Sequence, residues 1–270
     1  MRKLLVVVLA LAAVVAVVGV AVAANTYKVH KASTTASGKG SKSKPIPTGL
    51  TLGFQVGESD PSKRGTVVEK YSLGAEGLVT NPKVAPKCAF TDMDNEATVP
   101  SKCNKAKVGS GIVLNAAGAS TDQSLEHSSP CNLEVRLYNN GSGMIIRLDS
   151  NGKQPPSDFT SREIGCLLPI ATAINAKFVK TTIGDLPASD LRFTVPSNLK
   201  HPLAGIDNSI RESVSNIVLK TKVLDGRKKG FYEKIGCKGG KRLVRATFKT
   251  EVTASSPTQQ TFTATKNGKC

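Results

Sequence analysis

Residue types that carry chemistry are sparse in this chain, and their spacing narrows what each could do. Three His stand at positions 30, 127 and 201. His127 lies beside Ser128-Ser129-Pro130 and His201 precedes Pro202, so both read as exposed loop residues without the partners a catalytic base needs. No Gly-x-Ser-x-Gly elbow occurs, and Gly109-Ser110-Gly111 reads as a bulge or a tight packing position in a strand. Asp92-Met93-Asp94-Asn95-Glu96 opens like a calcium loop. The pattern then fails, because Ala97 stands where the sharp turn needs Gly and Cys103 where a bidentate Glu belongs. Gly236-Cys237-Lys238-Gly239-Gly240-Lys241 lacks the spacing of a phosphate-cradling loop and reads as a turn. Neither a metal site nor a cofactor is expected.

Two other sets of residues carry a signal. Six Cys stand at 88, 103, 131, 166, 237 and 270, with no Cys-x-x-Cys pair and no His nearby. An even count without metal-ligand spacing reads as three disulfides in an oxidising compartment. Fifteen pairings are open on sequence alone, and nearest-neighbour pairing, 88–103, 131–166 and 237–270, is the expectation. The second set is charge. Between Lys220 and Lys249 there are eleven basic and two acidic residues. Arg227, Lys228 and Lys229 fall near a hairpin tip, and Lys241, Arg242, Arg245 and Lys249 on or beside the next strand. This is a candidate patch for an anionic polymer. Export and the lack of aromatic stacking partners argue against nucleic acid, so an anionic cell-envelope polymer or an anionic lipid surface is the expected partner. The alternative is a solubility device that keeps an exposed sheet edge unpaired.

The elements that must position these residues follow a leader. Arg2 and Lys3 precede an unbroken apolar run from Leu4 to Ala24, which closes on Ala21-Val22-Ala23. Residues 1–24 therefore read as a signal peptide, or as an uncleaved helical anchor that places the remainder on the outer face of the plasma membrane. In the anchored form residues 4–24 are the sole membrane contact. Residues 25–48 hold five Lys, no acid and many Ser, Gly and Thr, and read as a flexible cationic linker. His30 falls inside it.

From Gly49 onward the pattern alternates. Leu50, Leu52, Phe54 and Val56 alternate with polar or small residues, as do Leu133, Val135 and Leu137, and Met144, Ile146 and Leu148. Val244, Ala246, Phe248, Thr250 and Val252 do so against Arg245, Thr247, Lys249 and Glu251. Period two marks half-buried strands. Asn139-Asn140-Gly141-Ser142 and Asp225-Gly226 mark turns between them. The last fifty residues read as a four-strand meander, and a helical turn is expected near Gly205–Ser213. About eleven strands predict an all-β, antiparallel, sandwich-like domain over residues 49–270. The Pro-rich stretch at 154–157 is the best internal boundary.

Pro86-Lys87-Cys88, Cys103, Ala106-Lys107-Val108-Gly109-Ser110-Gly111, Leu191-Arg192-Phe193-Thr194-Val195-Pro196 and a strand pair ending at Cys270 together resemble a loose group of exported β-rich proteins from high-GC Gram-positive bacteria. The resemblance spans roughly residues 80–270. It implies a fold and an exported location, and no activity, so it carries over no functional residue.

The whole chain has 270 residues, a formal net charge of +17, 4% aromatics and no Trp. This composition argues against a sugar-binding face of stacked rings. The expected function is an exported cell-envelope binding or structural protein. An exported hydrolase with a dispersed carboxylate or Ser site, or a docking subunit of another exported protein, is the alternative.

Overall fold

A computed structural model describes residues 25–36, 38–94, 98–150, 152–217, 221–224, 227–252 and 258–269. The expected leader, residues 1–24, lies outside the described residues. The first strands are β1 (Asn25–Thr34), β2 (Ile46–Thr48), β3 (Leu50–Glu58), β4 (Val68–Ala75), β5 (Leu78–Thr80), β6 (Lys107–Ala119), β7 (Ser128–Pro130), β8 (Leu133–Asn139) and β9 (Gly143–Asp149). They continue with β10 (Ala171–Ile183), β11 (Leu186–Thr194), β12 (Ile206–Ile217), β13 (Thr221–Leu224), β14 (Arg227–Gly230), β15 (Tyr232–Lys234), β16 (Lys241–Thr250) and β17 (Thr261–Lys269). One helical turn, α1 (Ser197–Lys200), follows β11.

Eleven of these strands form one path, in the order β1-β3-β12-β6-β8-β9-β10-β11-β4-β16-β17, with β7 added beside β6. Every neighbour on the path is antiparallel. The chain is all-β and antiparallel, as its alternation predicts. The sheet curls until its edges meet, so that the two faces expected of a sandwich are the arcs of one nearly closed barrel. Strands β2, β15 and β5 form a separate three-stranded sheet beyond the Ala75 end of β4, and β13 and β14 form a hairpin.

The edges meet between β1 and β17. Tyr27 stacks on Phe262 with ring centroids 4.2 Å apart. Lys266 Nζ donates to His30 O at 2.6 Å. A Cβ on Gly268 would stand 2.9 Å from Ala32 O. The partner numbers 27, 30 and 32 rise together with 262, 266 and 268, so the seam is parallel. Eleven strands joined by ten antiparallel pairings require this. No backbone ladder joins β1 to β17 among the described residues, and side chains close the seam.

The structure departs from four expectations. Residues 25–34 are not linker but strand β1, registered against β3 from Asn25↔Glu58 to Thr34↔Leu50. Average composition over 25–48 hides a short alternation at its head, with Tyr27 and Val29 inward and Thr26 and Lys28 outward. Asn25 anchors the start by exchanging hydrogen bonds with Thr66, Nδ2 to Oγ1 at 2.9 Å and Thr66 N to Oδ1 at 2.8 Å. The last fifty residues are not one meander. β16 and β17 pair as expected, but β15 pairs with β2 and β5 rather than with β16. Gly205–Ser213 likewise holds no helical turn. Residues 206–217 are strand β12, held between β3 and β6. The Pro155-Pro156 stretch joins β9 to β10, which are adjacent in the same sheet, so it is a loop within one barrel.

The two disulfides seen sit differently, Cys131 and Cys166 within the main core with Leu133 and Ile170, Cys88 and Cys103 in a separate outer cluster. Cys88–Cys103 and Cys131–Cys166 are formed, closing loops with sequence separations of 15 and 35 residues. Cys237 is also disulfide-bonded, and the partner expected for it, Cys270, lies outside the described residues. Disulfides of this kind belong to an oxidising environment. The first loop packs on the outer face of β8, β9 and β10, where Met93, Cys88, Cys103 and Ala106 cluster with Tyr138, Ile145 and Ala173. This cover explains why β9, expected to be half-buried, is buried on both faces. Asn139 holds the cover down, since its Nδ2 donates to Pro82 O at 2.8 Å and Ala85 O at 2.9 Å. The turn after it runs through Gly141 at φ +96°, a conformation that favours Gly.

Two outcomes follow. Each crosslink contributes about 3–4 kcal/mol by loop closure, so reduction lowers the thermal midpoint by about 10 °C or more, read by circular dichroism with and without reductant. A chain truncated to begin at Gly49 loses β1, exposes the edge of β3 and removes the Tyr27 stack. Such a chain is expected to aggregate or to lose its cooperative melting transition.

Candidate functional site

The seven basic residues marked as a polymer patch divide among four places. Lys228 and Lys229 lie on β14, with Lys228 exposed and Lys229 half-buried. Arg227 begins the same strand, opposite Leu224. Lys241 is exposed at one end of the barrel, opposite Lys269 on β17. Arg245 and Lys249 face outward further along β16. A strand rises about 3.3 Å per residue, so Lys241 and Lys249 lie about 26 Å apart.

Arg242 does not belong to the patch. It is 2% exposed, and its guanidinium donates to Glu76 O and to Gly236 O, the latter at 3.1 Å. The Glu76 carboxylate in turn accepts Leu243 N at 3.2 Å and Asp185 N at 3.1 Å. Arg242 therefore ties β16 to the turns beside it. Burial lowers its pKa, and the Glu76 charge works against that. The signal for this was in the alternation, because Arg242 is in phase with inward-facing Val244, Ala246 and Phe248.

Arg245 and Lys249 instead join residues the sequence does not connect. With Lys70 on β4, Lys177 on β10 and Arg192 on β11 they line an outer groove of about 850 Å³. Phe90, Val179 and Pro196 supply apolar surface there, and among the described residues no acid or His lines it. Two pairs of cations stand directly opposite across the ladders, Lys249 with Lys70 and Lys177 with Arg192. Like charges in that relation destabilise a sheet. Partial relief comes from Glu69, 3.5 Å from Lys70, and from buried Asp190, 2.8 Å from Arg192. Among the described residues Lys177, Arg245 and Lys249 have no ion pair, and Arg245 Nε is buried without a hydrogen-bond partner. Lys70, Lys177 and Arg192 were not legible as site residues, because strand order places them beside β16 and sequence proximity does not.

The inward faces of the same strands enclose a second space. Leu52, Phe54, Val135, Met144 and Ile146 are among the residues around an apolar cavity of about 110 Å³. Eight strands leave an interior that side chains fill or that holds one small ligand. Eleven strands with few large aromatics leave more room than Leu, Ile and Val can occupy. Left unfilled, a void of 110 Å³ costs about 2.6 kcal/mol at about 24 cal/mol per Å³.

The remaining candidates resolve into structural roles. His201 is half-buried rather than exposed, and bridges Asp207 (Nδ1–Oδ1 2.8 Å) and Glu251 (Nε2–Oε2 2.6 Å). Lys200 also donates to Glu251, so the four residues tie α1 to β12 and to the end of β16. His127 bonds Asp122 at 2.6 Å in an exposed loop, and that carboxylate holds its pKa above the usual imidazole value. Asp92 pairs with Lys102 at 2.8 Å, while Asn95, Glu96 and Ala97 lie outside the described residues. Cys88, Asp92 and Cys103 lie close together, but the two sulfurs are bonded to each other. Gly111 confirms tight packing, since a Cβ there would stand 2.1 Å from Val214 O. Among the described residues no helix is long and apolar enough to cross a membrane.

The fold and its groove define a class, a disulfide-bearing, nearly closed eleven-stranded antiparallel barrel with a cationic outer face. No protein-family model, curated protein or solved structure matches the chain.

Substitution separates the two kinds of cation. Arg242→Ala strands two buried carbonyls and is expected to cost at least about 2 kcal/mol of stability. Lys249→Gln is expected to stay within about 0.5 kcal/mol of the parent. Denaturant unfolding of both variants measures the difference.

Proposed function

We propose that this protein is an exported binding protein of the cell envelope, and that its outer groove holds a segment of an anionic envelope polymer. One observation carries the reading. The groove sets Lys249 against Lys70 and Lys177 against Arg192, and Arg245, four residues before Lys249 on β16, lacks an ion pair among the described residues. A chain of phosphate or carboxylate groups laid along it relieves this repulsion at several points at once. Three further features support the compartment and the partner. They are the disulfides, the apolar leader sequence from Leu4 to Ala24, and a net charge of +17. Since no His or acid among the described residues lines the groove, the arrangement favours holding a polymer over cleaving one.

The reading moves the expected contact. The part of the basic run that takes part is Arg245 and Lys249, joined by Lys70, Lys177 and Arg192 from other strands. Attraction of this kind is screened within about 10 Å at 0.1 M salt, so binding falls steeply as salt rises.

Cosedimentation of the oxidised protein with purified cell-wall material, at low and high salt, tests it. Walls stripped of their anionic polymers are the control. The variant Lys70→Gln, Lys177→Gln, Arg245→Gln, Lys249→Gln is expected to lose about 100-fold in affinity, at about 1 kcal/mol or less for each charge. The hairpin variant Lys228→Gln, Lys229→Gln is expected to lose less than about tenfold. Equal loss in both variants, or binding indifferent to salt or to stripping, would overturn the reading.

A further inference from the structure

The barrel interior is a largely hydrocarbon space, with Ser213 and Ser215 along β12 and an Asn pair toward one end. Its two ends are covered by different elements. Tyr232 on β15 lines the cavity at the end beyond Ala75, with its ring 5.4 Å from that of Phe231 and 6.1 Å from that of Phe178. Leu199 and Lys200 of α1 line it at the opposite end, beyond Thr194. Asn115 on β6 and Asn208 on β12 line the cavity from neighbouring strands, one step apart in register, since Asn115 faces Ile210 and Asn208 faces Ala117. Asn208 Nδ2 donates to Leu199 O at 3.2 Å, which places this polar pair toward α1.

Among the described residues both amide oxygens are buried acceptors without a hydrogen-bond partner, and Asn115 is 1% exposed. A buried polar group is ordinarily satisfied. Two unsatisfied acceptors at the rim of an apolar cavity call for a donor that arrives with an apolar body. The one cation lining the cavity among the described residues, Lys200, is already bonded to Glu251. An anionic head would therefore meet carbonyl oxygens and a cation with its own partner. A neutral hydroxyl would donate to Asn115 Oδ1 or Asn208 Oδ1 without losing the hydrocarbon contacts.

We propose that the barrel interior is a binding site for a neutral amphiphile, one apolar group about the size of an aromatic ring carrying a hydroxyl donor, which sits between Asn115 and Asn208. The size follows from the volume. A cavity of 110 Å³ is of the same order as the roughly 150 Å³ apolar cavity that takes one benzene. The Asn pair lies on β6 and β12, away from the groove strands β10, β11, β4 and β16, and the site stands independently of what the groove binds.

Titration calorimetry of the oxidised protein with benzyl alcohol, toluene and benzoate tests this, since the three share a body and differ in the head. Benzyl alcohol is expected to bind about tenfold tighter than toluene, the worth of one good hydrogen bond, and benzoate weaker than either. Asn115→Leu, Asn208→Leu keeps toluene binding and removes the preference for the alcohol. Val135→Phe fills the cavity and abolishes both, with circular dichroism reporting that it folds. Should Val135→Phe fail to fold, the Asn double variant decides alone. The proposal falls if the parent binds none of the three, if benzoate binds tightest, or if the double variant keeps the preference.

Discussion

Closure of an odd-numbered sheet is the constraint on which this structure depends. Eleven strands paired antiparallel bring β1 and β17 together pointing the same way, and here they meet without a ladder among the described residues. An open edge invites pairing with other chains. The seam meets that hazard with side chains, the Tyr27–Phe262 stack, its neighbour Phe248 at 5.1 Å, and the Lys266 ammonium on His30 O. Because the seam completes the barrel, β1 is as necessary to it as any strand near the middle of the path. A sheet left open there would expose the interior rows of β3 and β16 together.

A closed wall separates two chemistries that alternate along each strand. On β4, Tyr71 and Leu73 face the cavity while Lys70 and Ser72 face the groove. On β11, Leu191 and Phe193 face in while Arg192 faces out. The apolar space and the cationic groove are thus two sides of the same residues, which is why a sequence with few aromatics can support both. Interior room comes from strand number, and exterior charge density comes from cations placed opposite one another across two ladders.

The positive charge has a second use. Arg64 donates to Asp207 O, Ala119 O and Asp122 O, Arg242 to Glu76 O and Gly236 O, and Lys234 to Ala36 O. All three are buried, and each gathers carbonyls that the strands leave unpaired where they end. A barrel of many short connections has many such carbonyls, and a long cationic side chain satisfies several at once. Part of the formal +17 is therefore scaffold rather than surface. Counting basic residues along the chain overstates the patch and misplaces it, as Arg242 demonstrates.

What the sequence determined by itself is whatever a local period or a count can carry. Alternation at Leu50–Val56, Leu133–Leu137 and Val244–Thr250 specified strands and their inward faces, because period two is a property of the extended backbone. Six evenly counted Cys and their nearest-neighbour order anticipated Cys88–Cys103 and Cys131–Cys166, because each closes a short loop. Tertiary structure alone decided the rest. It set Lys70, Lys177 and Arg192 beside Arg245 and Lys249, made β1 a wall strand rather than a linker, and assigned β15 to β2 and β5. It also turned Asn115 and Asn208 toward one cavity. Each of these depends on which strands become neighbours, and strand order is chosen by closing the whole sheet. No window along the chain contains that information.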